Sequence, residues 1–591
     1  MDTVASLLAA YRGGQRTPSD TVRATYRRIA EHADPALFIT LRPEADVLAE
    51  AAALEAHRDA ALPLYGIPVA VKDNIDVAGL PTTAACPAFA YEAQADAAAV
   101  ARLKAAGALV IGKTNLDQFA TGLVGVRSPY GIPRNVFKPE LVPGGSSSGS
   151  ASAVAAGIVP IALGTDTAGS GRVPAMLQNI VGLKPSLGLV PSLGLVPACR
   201  TLDCISIFAL TVDDAMAALE AIGGFEPTDA FSRPHTVGAL GPMPAAPTLG
   251  VLPEAQREFF GDADAAAAYA GALDRLKALG ATLKEINFSP FAETARLLYE
   301  GPWVAERWLA AETLMTTNPD AVHPVTRAIT EGGAKPTAAD AFRALYRLQE
   351  LRAVVRPVLA GLDAIVVPTA PTAYSVEEVL ADPIRLNSRL GTYTNFVNLL
   401  DLCGTAVPAA IAASGVPYGI TFLAPAGQDA EVASLARAFA ADTGLPMAAS
   451  AERPAYPPLA PPADPDRYEI CVFGAHMSGM PLNAELKSFG ARFVTEVETA
   501  PVYRMSLVEG PRPGVVRVNE GGASLKGEIW SLPYEGVGRL VGAIVSPLGL
   551  GTVELADGRT VTGFLCEAAA THGCPDITAF GSFRSYVASV E

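Results

Sequence analysis

Charge is scarce in this chain. Only 18% of its 591 residues are Asp, Glu, Lys or Arg, and the acidic ones outnumber the basic ones, 60 to 44. Net charge is −16 and the isoelectric point is about 5.0. No dense Lys/Arg cluster interrupts this balance, so the electrostatic footprint of a nucleic-acid binder is missing. Cysteine is sparse too. The seven (Cys86, Cys199, Cys204, Cys403, Cys471, Cys566, Cys574) are odd in number and scattered, which fits reduced cytoplasmic residues and not a disulfide framework. No apolar run reaches the roughly 18–20 residues that a bilayer span needs. The opening MDTVASLLAAYRGGQRTPSD lacks the basic start and apolar stretch of a secretory leader. The expectation is a cytoplasmic protein engaging neither nucleic acid nor membrane. What the chain has in quantity is apolar side chain: 50% of residues are hydrophobic, with a mean hydropathy of +0.28. That excludes disorder and supplies more than one core.

Proline marks the boundary between those cores. The segment PAYPPLAPPADP, 454–465, has six prolines in twelve residues and reads as an extended spacer. Residues 1–453 form one predicted domain and residues 466–591 a second of ordinary domain size. Before the spacer, helix-prone stretches such as ADAAAVARLKAAGA alternate with β-branched runs such as ALVIGKT, the pattern of an α/β layered fold with a mostly buried sheet. The run from Gly223 to Pro247 reads as a surface excursion. After the spacer come short strand-like runs cut by Gly and Pro, with a hairpin signal at Asp557-Gly558, so the tail is predicted as a smaller β-rich α+β domain.

Chemistry concentrates between Pro143 and Ser186. Two serine-bearing glycine loops, GGSSSG and GTDTAGSGR, are joined by a predicted helix and short strand. This segment has no GK[ST] ending, so it is no phosphate loop. Glycine lets backbone approach a ligand closely, and consecutive N–H groups in such a loop converge on one oxygen. The histidines of the first domain (His32, His57, His235, His323) lie outside the segment, which disfavours a Ser–His–Asp arrangement.

The segment resembles the signature of the amidase signature family, whose fold is a mixed twisted sheet covered by helices. Upstream, GIPVAVKDN (Gly66–Asn74) is similar to that family's lysine motif and GALVIGKTNLDQFATG (Gly107–Gly122) to its next shared block. The resemblance spans about the first 450 residues. One position departs from it: Ala168 stands where a glycine is usual. The resemblance implies a Ser–cis-Ser–Lys set, with Ser170 as nucleophile, Ser146 as the bridging serine and Lys72 as base. It also implies an oxyanion hole from the N–H groups of Thr167, Ala168, Gly169 and Ser170. A lysine serves as base only when neutral, so burial must depress its pKa from about 10.4. The apolar flank IPVAV suits such a position. The plain alternative is that Lys72 pairs with Asp73 and the serines are loop residues. Asp166 and Arg172 read as an ion pair shaping the loop.

Within the family, KDNIDVAGLPTTAACPAF (Lys72–Phe89), TGLVGVRSPYG (Thr121–Gly131) and YEGPWVAERW (Tyr299–Trp308) are similar to the branch acting on allophanate, a small urea carboxylate. On one helix Tyr299, Trp303 and Arg307 would share a side at i, i+4, i+8 and present a phenol and a guanidinium to a carboxylate. Alternatively, the aromatics are core residues and Arg307 pairs with Glu300 or Glu306. The backbone of Gly122 is expected to close the pocket. The tail's start, YEICVFGAHMSGMPLNAELKSFGARF, resembles the gamma-glutamylcyclotransferase-like fold; His476 is its titratable candidate, against a reading as a hydrogen-bonded loop histidine. No cofactor is implied, because activation would rest on Lys72 and backbone donors, and no metal site is expected, because HGCP (His572–Pro575) has a His and a Cys but no second ligand pair at zinc spacing. The resemblance implies a functional link to a separately encoded biotin-dependent urea carboxylase, and a homodimer is the default expectation for a soluble oligomer. Rival readings are a malonamate or aliphatic amidase, the ammonia-producing component of a tRNA-dependent system, and a non-catalytic scaffold.

Overall fold

A computed structural model describes residues 1–57, 62–459, 467–510 and 512–590. Thirteen strands belong to the first domain: β1 (Phe38–Leu41), β2 (Pro68–Lys72), β3 (Pro81–Thr82), β4 (Tyr91–Glu92), β5 (Leu109–Thr114), β6 (Ile161–Asp166), β7 (Val181–Lys184), β8 (Cys204–Ala209), β9 (Thr248–Val251), β10 (Thr282–Glu285), β11 (Ala364–Pro368), β12 (Leu402–Ile411) and β13 (Pro417–Pro425). Eleven of them form one sheet in the order β1-β5-β2-β6-β8-β7-β12-β13-β11-β9-β10. It is mixed: β2 runs parallel to β5 and β6, whereas β8 is antiparallel to β6 and β7. The α/β expectation is met.

Strands β2, β5, β6, β7, β8 and β11 are buried along their whole length. Helices cover both faces, which is why these strands read as continuous apolar runs and not as alternation. Successive residues still point to opposite faces. Val69, Val71, Ile161, Leu163, Ile205 and Ile207 join one core cluster, while Ala70, Ala162 and Phe208 join a second with Ala151 and Val154 of the helix Ser148–Ala155. Lys72 follows Val71, so it shares the face of Ala70, toward that helix. The period of two therefore places a lysine beside the first glycine-serine loop.

The tail holds β14 (Arg467–Val472), β15 (Arg492–Glu498), β16 (Tyr503–Val508), β17 (Arg512–Arg517), β18 (Lys526–Pro533), β19 (Leu548–Glu554) and β20 (Thr560–Cys566). Five make a sheet, β15-β18-β14-β20-β19, and β16 pairs with β17. The hairpin of β19 and β20 turns through Asp557-Gly558, with Gly558 at φ 85°. Lys487 and Arg492 of the tail pair with Asp363 and Glu431 of the first domain. Between Ile222 and Thr248 there is neither helix nor strand. The same holds for 454–459, while 460–465 of the proline-rich segment lie outside the described residues.

Candidate active site

Three segments meet beside the sheet: the end of β2, the loop entering helix Ser148–Ala155, and the loop leaving β6. Lys72 has no solvent exposure. Its Nζ donates to Ser146 Oγ at 2.7 Å and to Thr165 Oγ1 at 2.6 Å. It makes no ion pair among the described residues, because Asp73 is taken by Lys113 at 3.2 Å. Burial drives the Lys72 pKa down to about 7, against the opposing pull of Asp117, Asp203 and Asp166. The alternative pairing of Lys72 with Asp73 is thereby excluded. The Gly145–Ser146 peptide is cis.

Ser170 is buried, and its hydroxyl donates to the carbonyl of Gly122 at 3.4 Å. The loop around it is shaped by the Asp166–Arg172 pair, bidentate at 2.8 and 3.0 Å with both side chains fully buried. Burial opposes ionisation of Asp166, but Arg172 beside it holds the carboxyl below its ordinary range. The same carboxylate accepts the N–H groups of Gly169 (2.8 Å) and Gly171 (3.0 Å). Of the four N–H groups expected to face an oxyanion, that of Gly169 is thus engaged inward. Gly169 itself sits at φ 132°, and a Cβ there would collide with Thr394. Ala168, where the family has glycine, is not among the positive-φ residues, so its methyl costs nothing.

The arginine and the tyrosine arrive by a different route from the one the spacing suggests. Tyr299 lies near the end of helix Ser289–Glu300 and Arg307 lies in helix Val304–Thr317; Gly301-Pro302 separates them. Proline lacks the donor an unbroken helix would need there, and Gly301 is extended at φ −97°, ψ −172°. The single-helix stripe is therefore incorrect, yet the residues meet: Arg307 Nη2 lies 3.3 Å from the Tyr299 hydroxyl, and its Cζ 5.3 Å from the ring. Arg307 Nη1 donates to Thr121 Oγ1 at 2.9 Å. Arg307 is 3% exposed and makes no ion pair among the described residues; Glu306 is engaged by Thr201 instead. A buried guanidinium without an anion is costly unless a ligand supplies one.

Several residues here went unnoticed in the sequence. Thr165, the second hydroxyl on Lys72, stood inside GTDTAGSGR. Asp117, inside GALVIGKTNLDQFATG, accepts the N–H groups of Gly125 (2.9 Å) and Arg127 (2.9 Å) and so folds the Gly122 loop. Asp203 binds the Thr167 hydroxyl and the N–H groups of Ala198 (2.7 Å) and Cys199 (3.1 Å), and burial raises its pKa to about 6. Asn398 donates to the carbonyls of Asp166, Thr167 and Leu202. Neither of the last two carried a local signal. GALVIGKT also matches the spacing G-x-x-x-x-G-K-[ST], but it forms the buried strand β5 and its Lys113 is paired, so no phosphate cradle exists there.

In the tail, His476 is not part of this constellation. Its ring tilts over Phe564 with centroids 5.3 Å apart, its Nε2 is 3.6 Å from Glu485, and burial lowers its pKa. The buried carboxylate nearby is Glu528, which accepts from Ser478 (2.7 Å to N–H), Trp530 (2.9 Å) and Arg584.

The Amidase family profile matches residues 20–433, and that of the allophanate hydrolase C-terminal domain matches residues 468–588. The chain is 42% identical over 544 residues to urea amidolyase of Saccharomyces cerevisiae, covering 89% of this chain but only 30% of the yeast protein. It is 35% identical over 481 residues to a glutamyl-tRNA(Gln) amidotransferase subunit of Symbiobacterium thermophilum, covering 74% of this chain and 96% of that protein. The structure of the selenomethionine-substituted allophanate hydrolase of Kluyveromyces lactis superposes with a TM-score of 0.81 at 39% identity, over 100% of this chain and 99% of that one. The chain belongs to the amidase signature family and carries, after its amidase domain, the C-terminal domain of the allophanate hydrolases.

Proposed function

We propose that this protein hydrolyses allophanate, releasing ammonia through a serine acyl-enzyme. Ser170 attacks the amide carbonyl while its proton passes through Ser146 to neutral Lys72. The tetrahedral oxyanion is met by the N–H groups of Thr167, Ala168 and Ser170, that of Gly169 being held by Asp166, and each such donor is worth about 3 kcal/mol. Ser146 returns a proton to the departing ammonia, and water then cleaves the acyl-enzyme. The carboxylated carbamate formed breaks down to carbon dioxide and a second ammonia. Tyr299 and Arg307 hold the substrate carboxylate, and the Gly122 backbone closes the pocket.

The observation that carries this reading is Arg307, a buried cation with no anion of its own beside the Ser170 loop. A site for neutral amides has no use for it. The tail supports the same choice: likeness to the Symbiobacterium protein covers 74% of the chain, whereas the Kluyveromyces allophanate hydrolase is matched from end to end. We place the enzyme in the cytoplasm as a homodimer, acting after a biotin-dependent urea carboxylase in urea degradation, with residues 1–453 catalytic and the tail serving assembly. Ammonium release from fresh allophanate by the purified protein, beside malonamate and a Ser170→Ala control, tests it. Release from allophanate alone, lost in the variant, is expected; silence on allophanate with turnover of malonamate or aliphatic amides discards the substrate and keeps the chemistry.

A further inference from the structure

A second arginine lies behind Arg307. Arg127 is 1% exposed and, like Arg307, makes no ion pair among the described residues. Its Nη1 donates to the carbonyl of Thr121 at 2.8 Å and its Nη2 to the carbonyl of Pro383 at 2.6 Å. Its backbone N–H is held by Asp117 at 2.9 Å. Thr121 therefore has arginines at both ends: Arg127 on its carbonyl and Arg307 on its hydroxyl, the latter at 2.9 Å. The next residue, Gly122, offers its carbonyl to the Ser170 hydroxyl. A planar guanidinium fork bridges two carbonyls at fixed separation; a lysine ammonium, a point charge on a flexible stem, does not.

We propose that Arg127 is a positioning residue for carboxylate recognition: by tying Thr121 to Pro383 it fixes the hydroxyl against which Arg307 is set. This rests on the reading of Arg307 as the carboxylate anchor. Burying a cation whose hydrogen bonds all go to backbone is an expensive way to brace a loop. The expense is explained if the angle of the neighbouring guanidinium depends on it.

The test measures allophanate binding by calorimetry in the Ser170→Ala background, where the ligand survives. Arg127→Gln, Arg127→Lys and Thr121→Val are each expected to weaken binding about 10-fold, the scale of one charge-assisted hydrogen bond lost from a buried site. Thr121→Val removes only the hydroxyl and keeps the carbonyl that Arg127 holds. If Arg127 acts through that hydroxyl, the Arg127→Gln/Thr121→Val double variant binds within about threefold of either single one, because residues acting in series are not additive. Independent losses that multiply to about 100-fold would overturn the proposal, as would unchanged affinity in Arg127→Lys. Should Arg127→Gln fail to fold, the same cycle runs with Arg127→Lys. Arg307→Ala is measured alongside: unchanged affinity there would sink the anchor reading itself, a result separate from failure of the cycle.

Discussion

The two domains bury charge in opposite ways. In the tail, Glu528 is wholly inside, and both of its oxygens have donors: Ser478, Trp530 and Arg584 surround it. In the amidase domain Lys72, Arg127 and Arg307 are about as deeply buried, yet none makes an ion pair with a carboxylate among the described residues; Asp117 and Asp203 act on their charges only from beyond ion-pair distance. Burial of an ion without its counter-ion costs folding energy, so it persists where function needs the charge or its loss. The tail's closed network reads as architecture, and the open one as chemistry. Asp166–Arg172 and Lys113–Asp73 show that the amidase domain also closes its pairs where they only shape the chain.

The hardest blow to that comparison would come from Ser170→Ala. If Ser170 is the nucleophile, as proposed, its removal is expected to lower kcat for ammonium release by about 10⁴-fold or more, since residues of one catalytic set act as a unit. Activity near wild type would make the open charges of the amidase domain meaningless. Next is Arg307→Ala, expected to lower kcat/KM on allophanate by about 100-fold, as for truncating one partner of a buried charge pair. Any neutral amide that the enzyme accepts should lose far less. Equal losses would turn Arg307 into a structural residue like Arg584.

The pH profile sharpens the contrast. Lys72 must be neutral to accept a proton, and its pKa lies near 7. Activity on allophanate is therefore low at acidic pH and rises with pH through about 7 as Lys72 gives up its proton. A limb that instead falls across that window would exclude Lys72 as base. Smallest is Glu528→Gln in the tail. It removes the shorter of Arg584's two ion pairs, leaving Glu496 at 3.4 Å, and is expected to cost about 2 kcal/mol of stability, seen as a lower melting temperature, because Arg584 is partly exposed and keeps that second partner. Its ammonium release at room temperature should match wild type, and a specific loss of kcat would move the tail into the reaction.

Much of the amidase domain was legible because its signals are local. Strands β2, β5 and β6 read as apolar runs, and the order of Lys72, Ser146 and Ser170 along the chain followed one pattern. Tyr299 and Arg307 were legible as a pair but not as a geometry: their spacing invited a single helix that Gly301-Pro302 breaks. Glu528 in the tail was invisible, since nothing in GEIWSLP sets a buried glutamate apart from a surface one.

Sequence alone determined the α/β layering and which residue types crowd the glycine loops. These follow from periodicity and from glycine's freedom, both properties of neighbours along the chain. Only the tertiary structure decided which buried charge found a partner. Lys113 took Asp73 and left Lys72 to two hydroxyls, while Arg307 reached the Thr121 held by Arg127 from 186 residues further along the chain. Such pairings depend on distance and dielectric within the packed core, which no stretch of sequence contains by itself.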